Sequence, residues 1–248
     1  MDIISTAQFS LVYNAFSFTI AVMGAATAFL FLSRSQVAPA YRTALTISGI
    51  VTLIAAYHYV RIFNSWEGAY TVADGVVRQT GTKFNDAYRY VDWLLTVPLL
   101  LIELILVMRL SAAETSAKAW KLGTLAALMV ALGYPGEISG DAGTRWVWWT
   151  LAMVPFVLIV YDLFVGLAKS IDSQPAAAKG LLGSARTLTV VAWLFYPVVF
   201  VFPMIGFTGG AATTAVQVGY TIADVVAKAV FGIMIYLIAM RKSAAEGA

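Results

Sequence analysis

Lys228 stands inside an otherwise apolar run, Tyr220 to Met240, with Asp224 one helical turn before it. A lysine at mid-membrane depth costs roughly 2.5–3.5 kcal/mol even on lenient insertion scales. A chain keeps such a charge where it is used chemically or tightly paired. Asp224 and Lys228 are spaced i,i+4 and so share one helical face. A buried amine among apolar residues can lose its proton, act as a nucleophile and form a Schiff base with an aldehyde. A protonated Schiff base then needs a counter-ion, for which Asp92 and Asp224 are the candidates.

A second group lies in the run around residues 85–110. Asp92, Thr96 and Glu103 are offset by about 40° and 20° around a helix turning 100° per residue, which puts them on one face. Asp92 and Glu103 are then separated by about 16 Å of helix rise, about half the hydrocarbon thickness. Two carboxyls on one face at different depths suit a proton relay. Arg89 is close to Asp92 in sequence and favours its ionised form. Glu103 is flanked by Leu101, Ile102, Leu104 and Ile105, and burial among such residues favours the neutral acid. One group ready to accept a proton and one ready to donate it is the asymmetry a vectorial pump needs. The bland reading is a mutually neutralised cluster with a purely structural role.

Trp93 follows Asp92, and Trp193, Tyr196 and Phe200 recur at +3 and +7 with Pro197 between them. Alone, such a stripe is ordinary helix packing; beside a lysine carrying a long apolar ligand it supplies rigid walls. His58 is the sole histidine, and there is no cysteine. Disulfides, thiolate metal sites and a histidine zinc cluster are therefore excluded, and no metal is expected.

These residues need membrane helices to position them. The 248-residue chain is 60% hydrophobic and 12% charged, with a mean hydropathy of +0.82 and a net charge of +3. A soluble domain carries about 25% charged residues. Seven apolar stretches fall near residues 7–33, 40–64, 85–110, 117–135, 144–169, 181–206 and 213–241. Each reaches or approaches the ~20 residues that cross a bilayer. Their continuous apolarity excludes the alternation of barrel strands. The expected fold is an all-α, seven-transmembrane-helix bundle over residues 1–248, as a single domain. The segment Asn64–Phe84 reads as a short β-hairpin in the loop between helices two and three. The acidic Asp2 and the lack of a basic leader argue against a cleaved signal peptide. Arg34, Arg42, Arg109, Lys118, Lys121, Lys169, Lys179, Arg186, Arg241 and Lys242 fall on one side, against Arg61, Arg78, Lys83 and Arg145 on the other. The richer side is expected to be cytoplasmic, with the N-terminus outside and the C-terminus inside.

The segments Arg89-Tyr90-Val91-Asp92-Trp93-Leu94-Leu95-Thr96-Val97-Pro98, Trp193-Leu194-Phe195-Tyr196-Pro197 and Asp224-Val225-Val226-Ala227-Lys228 resemble the third, sixth and seventh helices of microbial rhodopsins. The resemblance covers the whole chain, and Asp92/Thr96/Glu103 resembles the Asp-Thr-Glu pattern of proteorhodopsin-type outward proton pumps. It implies all-trans retinal held on Lys228 as a protonated Schiff base. It further implies Asp92 as counter-ion and proton acceptor, Asp224 as second counter-ion, and Glu103 as cytoplasmic donor. Arg89 would belong to the extracellular release path, and Trp93, Trp193, Tyr196 and Pro197 to the retinal pocket. His58 matches the histidine that hydrogen-bonds the acceptor in the proteorhodopsin and xanthorhodopsin branch, so the pair is expected to titrate as one unit. Leu100 matches a colour-tuning position and Phe200 replaces a tryptophan.

Trp149 matches the helix-five glycine that opens a gap for a carotenoid antenna in some xanthorhodopsin-like members, so no such antenna is expected. Gly133-Tyr134-Pro135-Gly136-Glu137 resembles the loop after helix four in that branch. The stretch Gly206 to Gln217 lacks the paired release carboxylates of bacteriorhodopsin, so proton release is expected late or by another route. The expected partners are the bilayer of a prokaryotic cell membrane, protons, and further copies in a trimer or pentamer, with no nucleic acid. The chain is read as a light-driven proton pump rather than an enzyme. The alternatives are a sensory rhodopsin without net pumping and a retinal-free transporter using the same charges.

Overall fold

The computed structural model describes residues 4–85 and 87–247. Asp2 of the N-terminal reading lies outside the described residues. Seven long helices run through them: α1 (Thr6–Leu32), α2 (Arg42–Ala69), α3 (Ala87–Met108), α4 (Ala112–Glu137), α5 (Ala142–Tyr161), α6 (Ala176–Val201) and α7 (Gly210–Asp224, continuing to Ala245). Six are long and apolar enough to cross a bilayer by that measure alone. The exception is α4, whose first turns carry Glu114, Lys118 and Lys121.

The helix ends follow local chemistry. Ser5 caps α1 in a reciprocal pair with Gln8, which satisfies two otherwise orphaned donors. Asp141 caps α5 by accepting the Thr144 N–H at 2.7 Å, and that bond holds its carboxyl below the usual carboxylate range. Two helices contain π-helical turns, at Asp162–Gly166 after α5 and at Val225–Val230 within α7. Such turns concentrate at functional sites, and the second contains Lys228.

Strands β1 (Tyr70–Ala73) and β2 (Val76–Gln79) pair antiparallel, with Ala73 opposite Val76. Asp74 and Gly75 turn the chain with φ of +53° and +73°, the positive pair that a two-residue type I′ hairpin requires. The hairpin is thus present where the sequence predicts it, although α2 runs further than expected before reaching it. Gly133 to Glu137 differs from expectation: these residues form the last turns of α4, not a loop. Pro135 is accommodated because a membrane helix tolerates proline where neighbours re-satisfy the freed backbone.

Successive helices α1 to α5 pack side by side, and α7 closes the ring against α1, α2, α3 and α6. The main core cluster joins α3 residues such as Trp93, Leu100 and Leu104 to Trp193 on α6 and Ala227 and Phe231 on α7. A second cluster at the hairpin end holds Phe16, Tyr59, Ile62 and Trp66. The arrangement puts α3 and α7 face to face with their charged residues between them.

Candidate functional site

Lys228 Nζ lies 2.6 Å from Asp92 Oδ2 and 2.6 Å from Asp224 Oδ1, with all three side chains no more than 2% exposed. Asp224 reaches the amine along its own helix, and Asp92 comes from α3. A buried cation is tolerated only when paired and hydrogen-bonded, and here two carboxylates share the task.

The two carboxylates are not equivalent. Asp224 Oδ2 accepts from the Tyr59 hydroxyl at 2.7 Å, and Asp224 Oδ1 accepts from the Tyr196 hydroxyl at 2.8 Å and from Trp93 Nε1 at 3.3 Å. Four donors, Lys228 among them, hold it as an anion. Asp92 Oδ1 is buried with no hydrogen-bond partner. Asp224 is therefore held by three side chains besides Lys228, whereas one oxygen of Asp92 has no hydrogen-bond partner.

His58 Nδ1 is 3.8 Å from Asp92 Oδ1 and 3.0 Å from the Ile54 carbonyl. The shorter contact directs the Nδ1 proton to the backbone of α2. The ring and Asp92 therefore interact at ion-pair distance and are not hydrogen-bonded. Thr96 lies on the Asp92 face, but its hydroxyl donates to the Asp92 backbone carbonyl at 2.8 Å and not to the carboxylate. The Arg89 guanidinium is buried over the rings of Phe16 and Tyr220, at 5.6 and 5.1 Å.

Glu103 is fully buried one face-repeat along α3, and neither carboxyl oxygen has a hydrogen-bond partner.

A cavity with about 790 Å³ of empty space, part of it open to the surroundings, leads away from Lys228. Its walls include Trp93, Leu100, Trp193, Tyr196, Pro197 and Phe200, all singled out from the sequence. Trp93 and Tyr196 meet edge to face at 4.9 Å, which stiffens the wall. Trp149 also lines the cavity, and its Nε1 donates to the Pro197 carbonyl at 2.9 Å.

Sequence reasoning missed Tyr59, Tyr90, Tyr220, Met129, Met153 and Phe156. Tyr59 directly follows His58, but a 100° step separates adjacent residues, so no spacing rule linked it to Asp224. A second, more polar cavity holds Glu137, Arg145, Gln217 and Tyr220 at the hairpin end. Arg145 Nη2 approaches Glu137 Oε2 at 3.3 Å there.

The family model described as bacteriorhodopsin-like protein matches residues 11–242. The green-light absorbing proteorhodopsin of Gamma-proteobacterium EBAC31A08 is 30% identical over 234 residues, covering 93% of this chain and 88% of that protein. Among solved structures, xanthorhodopsin, described as a light-driven ion pump with dual chromophore, is 52% identical. It superposes with a TM-score of 0.95 over 98% of each chain. Thermophilic rhodopsin is 44% identical with a TM-score of 0.97 over 100% of both chains.

Proposed function

We propose that this chain, which belongs to the bacteriorhodopsin-like family of microbial rhodopsins, is a light-driven pump that carries protons outward. It is a multi-pass membrane protein of prokaryotic type, and we assign it to the cell membrane as a single retinal-binding domain. The observation that carries the reading is the Lys228 amine at the end of an apolar, aromatic-walled cavity, 2.6 Å from each of two carboxylates. That arrangement fits an apolar aldehyde condensed on the amine with loss of water, leaving a cationic nitrogen where Nζ now sits. All-trans retinal bound there as a protonated Schiff base would supply light absorption and a proton whose affinity changes with light.

The residues would divide the work as follows. Asp92, with one oxygen open, accepts the proton from the Lys228 nitrogen. Asp224, held by Tyr59, Tyr196 and Trp93, remains charged, so the Lys228, Asp92 and Asp224 groups together keep one net negative charge before and after the transfer. Glu103 keeps its proton in a dry environment and returns it to the nitrogen from the opposite side. Arg89 stands on the exit side, where its charge disfavours return of the proton. Gly206 to Gln217 carries no carboxylate, so release would be late, by way of the polar cavity at Glu137 and Arg145. Net direction follows from access: Asp92 communicates with the hairpin side, Glu103 with the basic side. This is transport, with no substrate converted.

Trp149, hydrogen-bonded to Pro197, fills the position by which a keto-carotenoid would reach the ring, so retinal is proposed as the sole chromophore. Assembly into trimers or pentamers is proposed with it.

The test is illumination of cells expressing the chain with all-trans retinal. The medium should acidify, and a protonophore should abolish the change. A fast photocycle without acidification would favour a sensory role, against which the buried Glu103 argues. Failure to gain visible absorption with retinal, or covalent retinal retained in Lys228→Ala, would remove the central assignment.

A further inference from the structure

Lys242 is a second buried lysine on α7, only 4% exposed, which the pump scheme above does not use. Its ammonium has three N–H donors, and each has an acceptor. Nζ donates to the carbonyls of Val107 at 3.0 Å and Met108 at 2.8 Å, and to Gln174 Oε1 at 2.6 Å. The first two are orphaned acceptors at the end of α3, where a cation is favoured by the helix dipole. The chain leaves that end through Arg109 in the left-handed region, φ +53°. Gln174 belongs to the connector between α5 and α6.

The same turn of α7 grips a further segment. Ser243 Oγ accepts the Ala38 N–H at 2.9 Å, from the connector between α1 and α2. The Tyr41 ring lies 5.4 Å from Lys242 Nζ and 5.7 Å from the Arg109 guanidinium. Glu246 accepts from the Tyr41 hydroxyl and pairs with Arg109 at 3.6 Å. These side chains close the basic end of the bundle. Glu103 lies four residues before Val107, about 6 Å deeper along α3, with no hydrogen-bond partner of its own. On the pump reading, a proton that reloads Glu103 from that side would travel past these side chains.

We propose that Lys242 is a positioning residue for proton uptake: its ammonium latches the α5–α6 connector to the end of α3, and release of Gln174 from it opens the path to Glu103. The latch rests on the pump reading for its kinetic role. The α3 carbonyls are permanent partners. Gln174 is taken as the partner that leaves, because it follows the short helix Ala168–Asp172 of the connector, where its Nε2 donates to the Ser170 carbonyl at 3.0 Å, and does not belong to a long helix.

The experiment compares Gln174→Leu and Lys242→Met with the parent, each loaded with retinal. Flash kinetics and a pH-sensitive dye separate transfer to Asp92 from proton uptake by Glu103, and hydrogen exchange in the dark follows residues 170–175. Gln174→Leu keeps the α3 cap intact, so it reports the latch even if Lys242→Met folds poorly. Expected are uptake about ten-fold faster in Gln174→Leu, the factor given by about 1.4 kcal/mol of lost barrier, unchanged transfer to Asp92, and faster exchange in the connector. Lys242→Arg should restore slow uptake in part. Uptake at the parent rate in Gln174→Leu, with a parent that pumps, overturns the latch alone. A parent that moves no protons overturns the pump reading and the latch's kinetic role together, while unchanged exchange in the connector overturns the latch as a structure.

Discussion

At the scale of single residues, two carboxylates equidistant from one amine differ through their remaining partners. Asp224 is saturated by hydroxyl and indole donors, and Asp92 is not. Tyr59→Phe should therefore lower the thermal stability of the pigment by about 1.5–3 kcal/mol, the range for a hydrogen bond to a charged group, as read by thermal bleaching; an unchanged melting curve would deny Asp224 its anchoring role. Glu103→Gln removes the carboxyl proposed as the donor on α3. Return of the proton to the Lys228 nitrogen should slow by about 10²- to 10⁴-fold, the usual weight of a general acid, with partial rescue by azide. Unaltered decay kinetics would take Glu103 out of the donor role. His58 interacts with Asp92 across 3.8 Å with its proton given to Ile54. Titrating the visible spectrum should show one transition as Asp92 is neutralised in acid, and His58→Gln should move its midpoint. A midpoint that stays put would reduce His58 to a packed ring.

At the scale of elements, the site depends on how closely α6 approaches α7. A Cβ on Gly219 would stand 2.1 Å from the Phe195 ring tip, so only glycine admits that ring. Gly219→Ala should force the ring aside at about 1–3 kcal/mol, the ordinary cost of overpacking. Because Phe195 and Tyr196 both contact Tyr220, the absorption maximum should shift as well. A variant with parental stability and colour would show that the contact is slack. The π-helical turn in α7 acts at this scale too. It adds a residue to the turn bearing Lys228, so the halves of α7 on either side are rotated relative to a regular helix. The first half presents Asp224 and the second presents Lys242.

For the whole molecule, the proposed outward direction of pumping depends on which end of the bundle, the hairpin end or the basic end, faces the cell exterior. The chain has no cysteine, so single-cysteine labelling can read that orientation directly. In intact cells an impermeant maleimide should label Arg78→Cys on β2 and leave Ala245→Cys at the end of α7 unlabelled until the cells are opened. The reverse pattern would place the Asp92 exit on the cytoplasmic side and overturn outward pumping.

How much of this was legible in the sequence follows from how local each signal is. Hydropathy over ~20 residues and the 100° step per residue are properties of the chain alone. They located the helices and put Asp92, Thr96 and Glu103 on one face, and the composition of Asn64–Phe84 marked the hairpin. The resemblance places Gly133–Glu137 in a loop, whereas here these residues stay in the last turns of α4, since a packed membrane helix tolerates proline. Only the tertiary structure brought Asp92 to 2.6 Å from Lys228 across 136 residues, gave Asp224 its tyrosines, and set Lys242 over the end of α3. Those outcomes depend on how whole helices pack against one another, and no spacing within one helix encodes the distance to another.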